Sequence, residues 1–306
     1  MYQVKRPSRS EFVPIRNLKY HCRVWGEPGP GKVPLVLVHG WMDVAASYQF
    51  VVDAFEGDHY VIAPDWRGYG LTEAPPTDNY WFPDYMADLD FLIDHYSPHA
   101  PVHLVGHSMG GNVAMLYAGS RPDRISLLVN LEGFGMPATK PSQAPGRYAK
   151  WMDELKALHR GDTTLKSYET VDGVAQRLMK TNKRLPQDKA QWLAQHWARL
   201  EADGRWHILG DPAHKIINAQ LYRVDEAQEI FKCITAPTLC IEAAGNELHE
   251  WWKGIYSLQE YHQRIQAVPR LRQAQVADAG HMLHHDQPAA LALLVENFMK
   301  STPTAL

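Results

Sequence analysis

Three short runs, apolar almost without a break, set the tightest limit on how this chain can fold: Pro34 to His39 (PLVLVH), Tyr60 to Ala63 (YVIA) and Val102 to Val105 (VHLV). A strand with one face in water alternates apolar and polar residues, whereas a continuous run suits a strand buried on both faces of a mainly parallel sheet. Between the second and third runs lies DYMADLDFLIDHY, in which Met86, Leu89, Leu92 and Ile93 recur at helical spacing. Strand, helix and strand in succession predict an α/β fold with right-handed crossovers. Ile125 to Leu131, Pro237 to Glu242 (PTLCIE) and the strand-like LRQAQVA continue the alternation, and Leu291 to Met299 predicts a closing helix.

The alternation lapses between residues 138 and 232, where helical patterns dominate and no buried strand is evident. Val171, Val174 and Leu178 share one helical face, as do Leu193, Trp197 and Leu200. The simplest account is one α/β core, residues 1–137 and 233–306, interrupted by a helical insertion at 138–232. A chain of 306 residues can bury a core of that size without disulfide staples. Its three cysteines, Cys22, Cys233 and Cys240, form no CxxC and no Cys/His cluster with metal spacing, so reduced, buried thiols and no metal are expected.

Charge excludes further classes. With 31 Lys and Arg against 34 Asp and Glu, the formal charge is −3 and no run of five or six like charges occurs, so neither nucleic acid nor an anionic membrane is an expected partner. The opening MYQVKRPSRSEF lacks the apolar stretch of a signal peptide, and no run approaches the ~20 apolar residues of a membrane helix. A soluble cytoplasmic protein, monomer or homodimer, is the expectation.

The motif richest in chemistry is Gly106-His107-Ser108-Met109-Gly110, a G-x-S-x-G between a buried strand and the small-residue helix start Gly111-Asn112-Val113-Ala114. At such a strand-to-helix turn the serine is held in a strained conformation, and glycines two residues either side remove side chains that would clash. Ser108 is thereby a candidate nucleophile, standing where helix N–H groups face a developing anion. Gly40, in Val38-His39-Gly40-Trp41, lets the backbone approach the same point, so the N–H groups of Trp41 and Met109 are a candidate oxyanion hole. His39 reads as a histidine bonded to loop backbone, because a better base follows. That base is His281, in the loop Asp278-Ala279-Gly280-His281-Met282; imidazole, with its ordinary pKa of ~6.5, can take a hydroxyl proton and return it near neutral pH. His284 and His285 are weaker candidates, expected at an exposed helix approach.

The HG-Trp turn, Asp65-Trp66-Arg67-Gly68-Tyr69-Gly70, GHSMGG and DAGHM, in this order, resemble the landmarks of the α/β-hydrolase superfamily. The resemblance covers the chain outside the insertion and implies an α/β-hydrolase fold: a mostly parallel central sheet flanked by helices, with an inserted helical cap. It also implies a bracing role for Asp65. The superfamily's catalytic acid, usually an aspartate, follows the strand read here as PTLCIE, but this sequence continues Ile241-Glu242-Ala243-Ala244-Gly245-Asn246-Glu247 without one. Two replacements are open: Glu247 after a one-residue slip, or Glu132 in Asn130-Leu131-Glu132-Gly133-Phe134, which resembles the acid position of haloalkane dehalogenases. Glu132 is preferred. Dehalogenases and epoxide hydrolases attack with a carboxylate, whereas Ser108 implies an acyl-enzyme from a carbonyl substrate.

The expected activity is therefore that of a serine esterase, with Ser108 as nucleophile, His281 as base and Glu132 as acid. Trp41, Trp66, Trp81, Trp151, Trp251 and Trp252 fall near these loops or in the insertion and favour small to medium hydrophobic ester substrates. A C–C bond hydrolase or lactonase on the same site, or a ligand-binding homologue without turnover, are the alternatives. No G-x-G-x-x-G and no P-loop lysine is present, so no cofactor is expected.

Overall fold

The computed structural model describes residues 2–302. Strands β1 (Arg9–Ile15) and β2 (Leu18–Trp25) form an antiparallel hairpin, followed by β3 (Leu35–Val38), β4 (Val61–Pro64), β5 (Val102–His107) and β6 (Ile125–Leu131). Three short strands, β7 (Ser167–Tyr168), β8 (Ala198–Leu200) and β9 (Trp206–Ile208), make a separate antiparallel sheet. The main sheet is completed by β10 (Thr238–Ala243) and β11 (Leu271–Val276), in the order β1-β2-β4-β3-β5-β6-β10-β11. Only β2 runs against its neighbours; every other pairing in this sheet is parallel. This is the α/β-hydrolase architecture the motifs imply.

The apolar runs have the predicted cause. All residues of β3 and β4 are buried. Val36, Val38 and Ile62 pack with Leu104 in one cluster, while Leu35, Leu37, Val61 and Ala63 pack with Val105 in another. Successive side chains thus enter two different cores, each valine, leucine or isoleucine contributing about 1.5–3 kcal/mol when fully buried. The helix Phe82–Tyr96 buries Tyr85, Leu89, Leu92 and Ile93 on one side, and the closing helix Pro288–Lys300 buries Leu291, Ala292, Val295 and Phe298 on the other.

Between β6 and β10 lie four helices, Ala144–His159, Val171–Thr181, Gln187–Trp197 and Val224–Lys232, together with the small sheet that helical patterning did not reveal. Leu200 is one correction: it lies in β8 and is 55% exposed, whereas Leu193 and Trp197 face inward from the helix before it. The segment is joined to the core by a shared apolar cluster in which Val174, Leu178 and Leu193 meet Val44 and Phe50. A polar clasp adds to it. The His214 ring is sandwiched between Tyr69 and Tyr80 at centroid distances of 3.8 and 3.7 Å, and Tyr80 donates to Asp211 at 2.9 Å.

Cys22 and Cys240 are buried free thiols as expected, but Cys233 is exposed, because it caps the outer helix Val224–Lys232. No helix of the described residues is long and apolar enough to cross a membrane.

Several histidines are held neutral by burial, with ring pKa values of about 4 at His103 and His196 and about 3 at His214. Once unfolded, each binds a proton near its ordinary value of ~6.5, so the unfolded state carries more protons between the two values and stability rises with pH there. The thermal midpoint is therefore expected to fall as pH drops from about 6.5 towards 4, and His103→Gln should remove part of that slope. A melting temperature flat across this window would contradict the assignment.

Candidate active site

The end of β5 and the helix Met109–Ser120 meet at Ser108, whose φ of 53° and ψ of −116° lie outside the ordinary regions for an L-residue. A conformation of this kind costs about 1–3 kcal/mol and persists only where surrounding packing enforces it. Here the enforcement is a backbone crossing: a Cβ on Gly106 would stand 2.3 Å from the Gly110 carbonyl oxygen. Hydrogen bonds fix the rest, with Ser108 N–H donating to Leu131 O at 2.8 Å and Asn112 N–H to Ser108 O at 3.0 Å. The Ser108 side chain is left partly accessible.

The turn after β3 comes close to this point. A Cβ on Gly40 would be 3.0 Å from Ser108 Cβ, so only glycine lets the Trp41 peptide approach so nearly. Neither the Trp41 nor the Met109 N–H donates to a backbone acceptor among the described residues, which leaves both available to a ligand oxygen. The Trp41 indole is 53% exposed and donates to His214 O at 3.2 Å, bridging the turn to the inserted segment.

Glu132 follows β6 with φ of 55° and is 2% exposed. The turn presenting it is closed by the Asn130 side chain, which both donates to Gly133 O and accepts from Gly133 N–H at 2.9 Å. Each carboxylate oxygen has a partner: Oε1 accepts from Ala243 N–H at 2.7 Å, and Oε2 lies 3.0 Å from His281 Nδ1. With Nδ1–H directed at Glu132, the ring keeps its lone pair on Nε2, the form a general base needs. Ser108 Oγ and the His281 ring are not joined by a hydrogen bond among the described residues; such a contact often tightens only with substrate in place.

The other candidates part company with the site. Glu247 is exposed at the start of the short turn Leu248–Trp251 and does not reach His281. His39 is fully buried and held by backbone, its Nδ1 2.8 Å from Gly40 O and its Nε2 accepting from Trp66 N–H at 2.9 Å. Asp65 accepts from Ala45 and Leu71 N–H and pairs with His21, a loop brace. Trp66 is buried and donates to His39 O, so it lines no accessible pocket. His284 and His285 correct the expectation of exposure: at 0% and 2% they are buried in the turn behind His281.

One residue escaped the sequence reading: His107, whose Nε2 lies 2.8 Å from His281 O and ties the strand-to-helix turn to the loop that carries His281. Trp251, among the tryptophans expected near these loops, sets its ring edge-on against His281 at 4.4 Å. Nothing in local spacing signals contacts between segments this far apart in the chain.

Residues 33–288 match the family model described as alpha/beta hydrolase fold. The chain is 25% identical over 241 residues to a serine hydrolase-like protein of Danio rerio, covering 78% of this chain and 73% of that protein. It is 34% identical over 142 residues to the cis-3-alkyl-4-alkyloxetan-2-one decarboxylase of Shewanella oneidensis, a match covering 44% of this chain and 42% of that protein. Among solved structures, the thioesterase domain from the curacin biosynthetic pathway superposes with a TM-score of 0.81 at 22% identity, over 95% of this chain and 99% of that one, a likeness of fold.

The crossing at Gly106 gives a direct test. A methyl placed 2.3 Å from a backbone oxygen can be relieved only by moving the strand or the helix. Gly106→Ala is expected to cost at least about 1–3 kcal/mol, read by urea or thermal unfolding. Wild-type stability in that variant would mean the elbow is looser than described.

Proposed function

This chain belongs to the α/β hydrolase family, and on that footing we propose that it is a serine esterase cleaving small to medium hydrophobic carboxylic esters through an acyl-enzyme on Ser108. The observation that carries this reading is the buried Glu132 carboxylate 3.0 Å from His281 Nδ1, opposite a serine held in strained conformation at a nucleophile elbow. In this scheme His281 Nε2 takes the Ser108 proton as Oγ attacks the ester carbonyl. Glu132 stabilises the imidazolium, and the Trp41 and Met109 N–H groups receive the oxyanion. His281 returns the proton to the leaving alcohol. Water, activated by the same ring, then releases the carboxylic acid and frees Ser108.

Substrate preference rests on the surroundings. Trp41 and Trp251 are 53% and 40% exposed near Ser108 and His281, apolar surface suited to an acyl or aryl group. The segment 138–232 acts in this reading as a cap over them. Its ties support that role: Asn182 donates to Asp286 at 2.6 Å, and Asp286 accepts from Gly280 N–H beside the base. A serine at the elbow disfavours the alkyl-ester route of carboxylate nucleophiles. Cyclic esters are a second substrate type, because the relative from Shewanella oneidensis is named for an oxetan-2-one, a four-membered lactone.

A panel of p-nitrophenyl esters of increasing chain length, with a β-lactone alongside, tests the scheme. Ser108→Ala should lower kcat/KM about a thousandfold or more. Glu132→Gln should cost about a hundred- to ten-thousandfold, while Glu247→Gln leaves the rate unchanged. Turnover retained by Ser108→Ala would remove the nucleophile assignment, and loss in Glu247→Gln would return the acid to the later loop.

A further inference from the structure

Beneath the serine lies a second polar cluster that ester cleavage does not use. Asp43, His107 and His284 come from three separate turns, yet one donor atom of each lies within 4.8 Å of the other two. All three are buried, at 4%, 2% and 0% exposure. Each also neighbours one member of the proposed machinery: Asp43 follows Trp41 by two residues, His107 precedes Ser108, and His284 follows His281 by three.

The hydrogen bonds leave the inward atoms of this cluster without partners. His107 directs Nε2–H at His281 O, which places a bare lone pair on Nδ1. Asp43 Oδ1 accepts from Ser47, but Oδ2 has no partner, and neither ring nitrogen of His284 has one among the described residues. Buried polar groups are seldom left so, and here three converge on one point. Asp43 Oδ2 and His284 Nε2 are 3.6 Å apart, too long for a good hydrogen bond and close to the ~3.4 Å edge of a tetrahedron built on zinc–ligand bonds of about 2.0–2.1 Å. A histidine whose outer N–H is fixed by a carbonyl while its other nitrogen is free has the orientation of a metal ligand. Two imidazoles and one carboxylate suit zinc and its neighbours rather than calcium or magnesium, which take oxygen donors.

The geometry points to a buried site for one divalent transition-metal ion of the zinc class, held by Asp43 Oδ2, His107 Nδ1 and His284 Nε2. Such an ion ties together the three turns that carry Trp41, Ser108 and His281. The ligand set stands without the esterase reading, and only the bracing role rests on it.

The test is made on the whole chain, produced in zinc-supplemented medium, desalted and analysed for metals, with crystals measured on both sides of the zinc absorption edge. About one zinc per chain is expected, with an anomalous peak between the three side chains and a lowered thermal midpoint after chelation. Asp43→Asn and His284→Gln should each lose the ion, and His281→Ala should keep it. A wild-type chain without metal, both as isolated and after refolding with zinc, overturns the proposal; so does an anomalous peak at other histidines. The peak is read on the wild type, so a variant that fails to fold does not blunt the test. Metal content and ester turnover are separate measurements, so failure of one reading leaves the other distinguishable.

Discussion

The approach of the Gly106 and Gly110 backbones is the contact on which the rest of the site depends. Because the helix Met109–Ser120 begins against the strand it has just left, Ser108 is forced to positive φ. The same closeness brings the helix start against the turn after β6. Ser108 N–H reaches Leu131 O, and the Asn112 side chain accepts from Gly135 N–H at 2.8 Å. The turn that carries Glu132 is thus packed on the helix that follows Ser108.

In the proposed triad the acid follows β6 rather than β10, and sheet register makes room for that. The two strands are adjacent and parallel, with Leu131 opposite Ile241, so the residues one step beyond, Glu132 and Glu242, occupy equivalent positions on neighbouring strands. A carboxylate from either end can enter the region below His281 with little change in the scaffold. In this chain Glu242 turns instead to His262, at 2.7 Å, and the end of β10 supplies an N–H from Ala243 to Glu132. The strand after which the superfamily's acid usually falls here gives a hydrogen-bond donor to Glu132. Gly245, closed onto Ala279 O, has no side chain with which to replace it.

What could be read from the chain divides along the range of the interactions. Strands buried on both faces carry their signature in consecutive residues, so β3 to β6 and β10 were legible, as was the elbow. The β1–β2 hairpin went unread, because edge strands such as β1 mix exposed and buried residues and lack that signature. The strands β7 to β9 are two or three residues long, too short to show a period. The histidines after His281 look polar and therefore exposed, yet the tight turn Leu283–Asp286 folds two of them inward. Between Glu132 and Glu247 local pattern offers little to choose, since the contact that favours Glu132 joins residues 132 and 281 and exists only once the sheet is assembled.

Several imidazoles crowd this end of the sheet, and their surroundings assign them different work. His39 has both nitrogens engaged by backbone, and burial lowers its pKa, so it has no lone pair to offer Ser108. His107 spends its Nε2–H on the carbonyl of His281, and burial holds its ring well below the usual histidine value. His281 differs from both: its side chain is 22% exposed, so its outer edge can reach a reacting group, and its Nδ1 faces a carboxylate with no exposure at all. An imidazolium formed there gains a buried counter-charge at 3.0 Å, whereas one formed at His39 or His107 would be desolvated without such a bond. The ring that meets Glu132 is the proposed base, and that meeting follows from the turn Asn130 to Gly133 locked by its own asparagine.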